Sequence, residues 1–257
     1  MKVALTIGAS DPTSGAGIQM DLKVFHALNV YGLTVITAVT AQSTQEFSSV
    51  YPLSGETIMK QFEILIKDIK PHAAKTGMLY SKEAVQCVID SVKKFNLQNL
   101  VIDPVINATL GAKLIEDDAF KLLKEELVPL STAITANIPE AEFLTSTKIE
   151  KIDDFYKVAQ KIYQMGTKTV IIKGGHFDNT VPDMLYDGKN FYKAEGEKIS
   201  GQFHGTGCAF SSAFVSFICH GYKPVEALKA SKNFVKRSIE KSLKIGHGIK
   251  LLIIPKE

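Results

Sequence analysis

Short apolar runs that alternate with segments of helical periodicity are the feature that most constrains the fold of this chain. The apolar runs lack period-2 alternation, which is typical of buried strands in a sheet covered on both faces. They cover residues 3–7, 33–39, 73–77, 100–102, 132–135 and 169–172. Segments with the spacing of amphipathic helices cover residues 18–28, 59–69, 82–95, 119–127, 139–144, 153–165, 208–220 and 224–243. The pattern predicts one α/β domain over residues 1–257, a three-layer α/β/α sandwich with a mostly parallel sheet.

Composition excludes several classes of protein. The net charge of +3 over 257 residues is too small to indicate a nucleic-acid partner. The three cysteines form no Cys-x-x-Cys pair, which argues against a disulfide framework and a zinc site. No apolar run reaches the roughly 18 residues of a membrane helix, and the N-terminus leads directly into a predicted strand without a signal peptide. We therefore expect a cytoplasmic protein without a membrane partner.

Residues 201–214 predict a glycine-rich loop that enters a buried helix. Gly205, Thr206 and Gly207 stand where the free N–H groups of the helix start would form an anion site. Cys208 follows, and a thiol at a helix N-terminus is expected to have a lowered pKa and to act as a base or nucleophile. The alternative is an ordinary turn in which the threonine caps the helix. A Cys–His nucleophilic pair with His204 is disfavoured, because the helix is predicted to begin between the two residues.

The loop after the first strand, residues 8–17, carries glycines but no nucleotide fingerprint. Met20 occupies the place of the third glycine of a dinucleotide motif, and the chain contains no P-loop sequence. The backbone of Gly15-Ala16-Gly17 can still contact a ligand, or the segment can simply connect strand and helix. Asp11 is interpreted as a turn residue. Asp21, one turn into the next helix, is either a functional carboxylate or a solvated surface charge.

Polar and soft side chains follow the predicted strands, where ligands bind in this type of fold. Gln42 follows the run at residues 35–41, which continues the predicted strand. Its side-chain amide has the donors and the acceptor needed to bind the edge of a nitrogen heterocycle that carries an amino group. The alternative is a surface glutamine. Met78 can pack on a flat ring or fill the core.

Oxygen and amino groups after the next strands are candidates for binding a phosphate and its metal. The carboxylate of Asp103 can bind Mg²⁺ through a water molecule. The alternative is that Asp103 is an ordinary turn residue. Asn137 and Glu140 have the spacing of a capping box, and the same side chains can also hold a magnesium shell. Lys173 can meet a phosphate as a point charge or be solvated.

Taken together and in order, these segments resemble the bacterial hydroxymethylpyrimidine/phosphomethylpyrimidine kinases of thiamine synthesis, within the ribokinase-like superfamily. The resemblance covers nearly the whole chain, and its segments are residues 4–7, 10–12, 15–21, 40–42, 75–78, 101–105, 137–140, 173–176, 204–208 and 246–249. It implies the three-layer fold, ATP and Mg²⁺ as co-substrate and metal, a small pyrimidine as acceptor, and a homodimer.

The resemblance also implies roles for the residues that bind the pyrimidine. Gln42 would bind the aminopyrimidine edge, and Cys208 would be the base near the hydroxymethyl group. The remaining residues implied to line the pyrimidine site are Ala9, Ala16, Asp21, Met78 and Val105.

At the phosphate end, the resemblance implies an anion hole and a magnesium site. Gly205, Thr206 and Gly207 would bind the transferred phosphoryl group. The residues that would organise MgATP are Asn137, Glu140, Asp103 and Lys173, with Asp103 and Glu140 holding Mg²⁺ through water.

Two departures from the family pattern bear on the site. The order Gly8-Ala9 replaces the Ala-Gly usual in relatives, so Ala9 is expected to narrow the pyrimidine pocket. Residues 107–110 differ from the lysine-containing loop common after this strand. The nearest alternative is a pyridoxine-type kinase, whose members tend to lose the glutamine that matches Gln42. A second alternative is a non-catalytic sensor on the same fold, which would be expected to lose the base and the magnesium residues.

Overall fold

The computed structural model describes residues 1–108, 111–174, 182–196 and 199–255, and it confirms an α/β/α sandwich. The central sheet has the strand order β3-β2-β1-β4-β5-β6-β7-β8-β9. Its strands are β1 (Lys2–Ser10), β2 (Val30–Gln42), β3 (Phe47–Pro52), β4 (Ala73–Thr76), β5 (Leu100–Ile102), β6 (Ala133–Asn137), β7 (Val170–Lys173), β8 (Asp183–Tyr186) and β9 (Phe191–Ala194). A two-stranded sheet pairs β10 (Phe203–His204) with β11 (Lys250–Leu251).

The helices cover both faces of the central sheet. They are α1 (Gly17–Ala27), α2 (Gly55–Asp68), α3 (Lys82–Phe95), α4 (Asp117–Leu122), α5 (Ile138–Thr145), α6 (Ile152–Gln164), α7 (Thr206–Cys219) and α8 (Pro224–Glu240). One hydrophobic core lies between the sheet and α2 to α6, and a second lies between the sheet and α1, α7 and α8. The strands between these layers are apolar on both sides, as the sequence pattern predicts. Within the described residues, no helix is long and apolar enough to cross a membrane.

Parallel pairing links β2, β1, β4, β5, β6 and β7, and β3, β8 and β9 join the sheet as antiparallel strands. The predicted hairpin at residues 183–192 is present as β8 and β9. The predicted helix at residues 82–95 matches α3, and Ser81 caps it by accepting a hydrogen bond from the N–H of Ala84.

The structure differs from the sequence-based prediction in several local elements. Residues 8–10, predicted as loop, extend β1, because parallel pairing with β2 continues as far as Ser10. The edge strand β3 was not predicted, since its sequence, with no fully buried residue, lacks the continuous apolar run of a buried strand. The predicted helix at 119–127 is shorter as an α-helix: α4 is followed by a π-helical turn over Leu123–Leu127 and a 3₁₀ turn over Val128–Leu130.

The sheet reverses its strand order between β1 and β4, which makes this the topological switch point where α/β folds bind ligands. From β1 the chain crosses to β2 on one side, and it later returns to β4 on the other. Gly8 and Gly77 face each other here, and the N–H of Gly77 donates to Ile7 O at 2.7 Å. A Cβ on Gly8 would lie 3.4 Å from the Gly77 Cα. A Cβ at this distance makes only ordinary van der Waals contact, so the approach of the two segments does not by itself require the glycine at position 8.

Candidate active site

A pocket of about 850 Å³ opens at the carboxyl end of the parallel strands. Residues at or just beyond the ends of successive strands line it, and the starts of α1 and α7 and one side of α8 complete the wall. The predicted site residues that it brings together are Ala9, Ala16, Asp21, Gln42, Met78, Val105, Asp103, Asn137, Glu140, Lys173, Gly205, Thr206, Gly207 and Cys208. The fold thus gathers every predicted site residue around one cavity.

Helix α7 begins two residues earlier than predicted, at Thr206. Its N-cap is Gly205 with φ +82°, a left-handed conformation that glycine adopts without strain. The N–H of Ala209 donates to Gly205 O at 2.9 Å, so the amides that precede it in the first turn lack intrahelical acceptors. Threonine is therefore not the cap, and the amides of Thr206, Gly207 and Cys208 form a potential anion site at the pocket.

The entry to α7 is tied to the first loop by a buried contact. His204 Nε2 lies 2.8 Å from Asp11 Oδ2. The same carboxylate accepts hydrogen bonds from the N–H groups of Thr13 and Ala16. These hydrogen bonds with His204 and Thr13 outweigh burial and lower the pKa of Asp11. Asp11 therefore organises a turn, as predicted, but it also joins the loop before α1 to the strand before α7.

Cys208 lies in the first turn of α7 and lines the pocket, yet its electrostatic state differs from the prediction. Burial raises the pKa of the thiol to about 12, although the positive charge of Lys75 acts in the opposite direction. The negative charges of Asp21 and Asp103 raise it further. The expectation of a lowered pKa was wrong because it considered only the helix N-terminus and neither the burial of the thiol nor the nearby carboxylates. His204 bonds with Asp11, and no Cys–His hydrogen bond is present among the described residues.

Asp21 is buried under the pocket floor, so its interpretation as a solvated surface charge was wrong. Lys75 Nζ donates to its Oδ1 at 2.8 Å, and the hydroxyl of Ser212 donates to the same oxygen at 2.6 Å. Thr6 donates to Oδ2 at 2.5 Å. These donors come from β1, β4 and α7, so the carboxylate links three elements around the site.

Asp103 lies between two lysines at the end of β5. Its Oδ2 is 4.0 Å from Lys75 Nζ and accepts a hydrogen bond from Ser211 at 2.9 Å. Its Oδ1 is 3.7 Å from Lys173 Nζ. Lys173 in turn lies beside the helix start, with Nζ 3.5 Å from the position a Cβ on Gly207 would take. A cation is therefore placed next to the free amides of α7.

Asn137 and Glu140 form the capping box of α5 in full. Asn137 Oδ1 accepts from the N–H of Glu140 at 2.9 Å, and Glu140 Oε2 accepts from the N–H of Asn137 at 2.8 Å. Burial raises the pKa of Glu140 to about 7; Asp103 adds to this, while Lys173 and the hydrogen bond with Asn137 act against it. Capping and a role at the pocket are compatible, because both residues also line it.

The opposite end of the pocket is apolar and flat. Ala9 and Met78 belong to a small cluster of buried side chains, against which Val105 packs. Gln42 is half-buried at the end of β2 and uses one N–H to donate to Thr40 Oγ1 at 3.0 Å. A carboxamide has a second N–H and a carbonyl oxygen, so Gln42 can still bind a ligand that has a donor and an acceptor on one edge.

Sequence patterns did not identify some of the residues that shape the site. Lys75 and His204 are buried polar side chains whose partners are distant in the chain. On α8, the side chains of Lys232, Asn233 and Lys236 line the pocket, and Lys232 Nζ lies 3.1 Å from Asp183 Oδ2. A lysine in an amphipathic helix carries no signal that distinguishes a pocket wall from solvent.

Some predicted positions lie outside the described residues. They are Gly175 and His176 after Lys173, and Thr109 and Leu110 in the loop after Val105. Within the part of the chain that the structure describes, no cluster of three or more His, Cys, Asp or Glu side chains could hold a metal ion by itself.

A mostly parallel sheet with a helix N-terminus, a lysine and buried carboxylates at the carboxyl ends of its strands is typical of a small-molecule kinase of the ribokinase-like type. A family model described as phosphomethylpyrimidine kinase matches residues 11–252. The chain belongs to this family.

Individual relatives agree with the family. The chain is 42% identical to a hydroxymethylpyrimidine/phosphomethylpyrimidine kinase of Bacillus subtilis, over 95% of this chain and 92% of the relative. A crystal structure of a phosphomethylpyrimidine kinase from Clostridium difficile is 40% identical, with a TM-score of 0.84 over 93% of this chain and 100% of the other. An ADP complex of Bacillus subtilis pyridoxal kinase is 34% identical, with a TM-score of 0.91 over 100% of this chain and 98% of the other. The backbone fold is thus shared by kinases with different acceptors.

The first prediction concerns the close contact at the start of α7. A Cβ on Gly205 would overlap the carbonyl oxygen of Gly15, and φ is positive there. At Gly221, φ is also positive, but a Cβ there would meet open space, so Gly221→Ala should lower the free energy of unfolding by about 1–2 kcal/mol. We expect Gly205→Ala to lower it by clearly more. Gly207→Ala should fold normally, since its Cβ makes only ordinary contact. Urea denaturation measures all three, and equal losses for Gly205 and Gly221 would contradict the contact.

The second prediction follows from the raised pKa of Glu140. The folded protein holds this proton up to a pKa of about 7, against a usual value of 4.5, so stability falls as pH rises between these values. Glu140→Gln keeps a capping oxygen and should raise the free energy of unfolding by about 1–3 kcal/mol at pH 8, with little change at pH 4.5. Denaturation in metal-free buffer at several pH values measures this. The exposed Glu126→Gln is the control, and equal pH slopes in both variants would oppose the prediction.

Proposed function

We propose that this enzyme transfers the γ-phosphoryl group of ATP to hydroxymethylpyrimidine, and then a second phosphoryl group to the resulting monophosphate. The observation that carries the proposal is the start of α7, where free amides, Cys208 and Lys173 face the same pocket as Gln42. Phosphoryl transfer needs little covalent help from the protein, so positioning and electrostatics supply most of the rate.

The acceptor would lie at the apolar end of the pocket. Gln42 would bind the aminopyrimidine edge with its free N–H and carbonyl oxygen, while Met78 and Val105 pack on the ring faces. Ala9 and Ala16 would border the ring from the first loop. Since Asp21 already accepts three hydrogen bonds from protein groups, we propose that it supports the site from below rather than contacting the ring.

The phosphates would lie at the other end. The amides of Gly205, Thr206 and Gly207 would bind the transferred group as developing charge appears on its oxygens. Lys173 would bind the ATP phosphates, and Asn137 would help to place them.

Asp103 and Glu140 suit Mg²⁺ as a ligand pair. Both are buried oxygen donors near one another, and Mg²⁺ is usually bound by one or two carboxylates together with water and substrate phosphates. We propose that Asp103 and Glu140 would hold Mg²⁺ through water. When bound, the metal would supply the positive charge that neutralises the phosphates.

Cys208 would accept the proton of the substrate hydroxyl. In the free protein its pKa of about 12 keeps it as a neutral thiol. To act as the base, the thiol would first release its own proton to solvent, and the thiolate would then take the hydroxyl proton late, after the bond to the phosphoryl group has begun to form, as a loose transition state allows.

The third prediction tests the acceptor. ADP release from MgATP should be fast with hydroxymethylpyrimidine and its monophosphate, slow with pyridoxine and absent without an acceptor. Gln42→Leu should lose about 100-fold or more in kcat/KM for both pyrimidines because ring donors and acceptors are left unpaired, while ADP affinity is retained. The exposed Gln45→Leu is the matched control. Preference for pyridoxine, or unchanged turnover in Gln42→Leu, would refute the acceptor assignment in favour of the pyridoxine-type alternative.

The fourth prediction concerns the proposed base. Cys208→Ser should keep the fold and ADP binding and reduce turnover by about 100-fold or more, the usual size of a general-base contribution. Cys87→Ser is the control. Cys87 is a buried residue of α3, and its thiol donates a hydrogen bond to Gly55 O. Near wild-type turnover in Cys208→Ser would mean that the anion hole and metal suffice without a base.

The fifth prediction concerns assembly. We propose a cytoplasmic homodimer that uses the open edge of the sheet, where Val39 and Tyr51 are paired across β2 and β3 and are 44% and 61% exposed. Light scattering should give twice the chain mass for the wild type and a monomer for Tyr51→Lys. A wild-type monomer at micromolar concentration would refute this proposal.

A further inference from the structure

The segment that follows α8, residues 243–252, contacts the rest of the fold on two sides of the pocket, and we call it the C-terminal segment. Its strand β11 pairs in parallel with β10, where Leu251 lies opposite His204. Strand β10 leads directly into α7, whose first amides form the potential anion site. The same segment also touches Thr44, two residues beyond Gln42. It therefore joins the phosphate end of the pocket to the ring end.

Two glycines of the C-terminal segment lie against Thr44. The N–H of Gly248 donates to Thr44 Oγ1 at 3.1 Å, and the N–H of Ile249 donates to Thr44 O at 2.9 Å. A Cβ on Gly248 would overlap the carbonyl group of Thr44, and a Cβ on Gly246 would lie 2.5 Å from Thr44 Oγ1. Neither glycine has a positive φ. The glycines are therefore required by the close approach of the two segments and not by the backbone conformation.

Thr44 lies in the turn between β2 and β3, and the base of this turn belongs to the pocket. Gln42 pairs with Phe47 across the two strands, and both residues line the pocket. The register shifts between Ala41 and Gln42, so the regular ladder of β2 is interrupted just before Gln42. An irregularity of this kind changes the direction of the side chains that follow it. The direction of Gln42 therefore depends on how the turn is held.

The C-terminal segment has its own anchors in the fold. Leu251 and Leu252 are buried, and Leu252 belongs to the core between the sheet and α1, α7 and α8. Leu243 and Leu251 exchange two backbone hydrogen bonds of 2.9 and 3.0 Å. An open cavity of about 520 Å³ lies beside the contact with Thr44, so packing around the turn is not continuous there. The contact therefore holds the turn against a segment that is already fixed.

We propose that Gly248 is a positioning residue for the acceptor and acts through Thr44 on Gln42. Because the C-terminal segment also pairs with β10, this contact sets the carboxamide that would bind the ring relative to the amides that would bind the transferred phosphoryl group. The inference deepens the proposed function and rests on it. Phosphoryl transfer depends on the alignment of the two reacting groups, so a contact far from the chemistry can control how the acceptor is bound.

The test compares Gly248→Ala with Gly55→Ala. Gly55 lies at the start of α2 without a positive φ, and a Cβ there would make only an ordinary contact of 3.4 Å. We expect Gly248→Ala to raise the KM for hydroxymethylpyrimidine by about tenfold, the effect of weakening one hydrogen bond to the ring. The KM for ATP and the affinity for ADP should not change, because the phosphate end keeps its contacts. Gly55→Ala should match the wild type in all three.

Double variants with Thr44→Ala separate the two glycine contacts. Thr44→Ala removes the side-chain atoms that a Cβ on Gly246 would meet, but it leaves the carbonyl group that a Cβ on Gly248 would meet. Relative to Thr44→Ala alone, adding Gly246→Ala should cause no further rise in the pyrimidine KM, whereas adding Gly248→Ala should. If Gly248→Ala does not fold, Gly246→Ala in the wild-type background decides, and a wild-type KM in that variant would overturn the proposal.

Hydrogen exchange followed by mass spectrometry tests the contact without any substrate. In Gly248→Ala the peptide over residues 41–48 should exchange faster than in the wild type, while the peptide over residues 133–137 of β6 should not change. Unchanged exchange of the turn or an unchanged pyrimidine KM would overturn the proposal. Equal weakening of pyrimidine and ADP binding would also overturn it, since the contact would then serve the fold as a whole. If the wild type turns over no pyrimidine, the proposed function fails, while the exchange measurement still tests the contact.

Discussion

The contact between the first loop and the entry to α7 is the constraint on which the site depends. Gly205 packs against the carbonyl of Gly15, and His204 bonds Asp11 across 193 positions of sequence. These contacts set the start of α7 against the start of α1. The first amides of α7, the thiol of Cys208 and the start of α1 therefore line the same pocket. A small shift in either segment would move these amides and the thiol together.

Electrostatics beneath the pocket explain why this arrangement suits phosphoryl transfer. Two buried carboxylates, Asp21 and Asp103, are balanced by Lys75 and Lys173. Away from bulk water, charges interact more strongly than in water. Charges that the fold has already placed also need no reorganisation during the reaction. Burial, together with these carboxylates, raises the pKa of Cys208, so the simple rule that helix N-termini activate thiols fails here.

In the function proposed above, specificity for the acceptor resides in side chains, because the backbone fold is shared with structures of kinases that are named for different acceptors. The fold of this chain is similar to that of a phosphomethylpyrimidine kinase and to that of a pyridoxal kinase, with TM-scores of 0.84 and 0.91. The ring pocket is formed by Ala9, Gln42, Met78 and Val105 from different strand ends.

The sequence alone determined the layers of the fold and most of the strand ends, since buried parallel strands and amphipathic helices leave strong local patterns. It predicted α3 with its cap, and it indicated the residues after each strand, from Gln42 to Lys173, as candidates. It missed the exposed edge strand β3, which lacks a pattern, and the start of α7 by two residues. Only the tertiary structure decided that Asp21 is buried, that Lys75 and His204 belong to the site, and that the thiol of Cys208 is neutral. The physical reason is that burial and charge pairing arise from groups brought together across the chain, and no local pattern records which groups will meet.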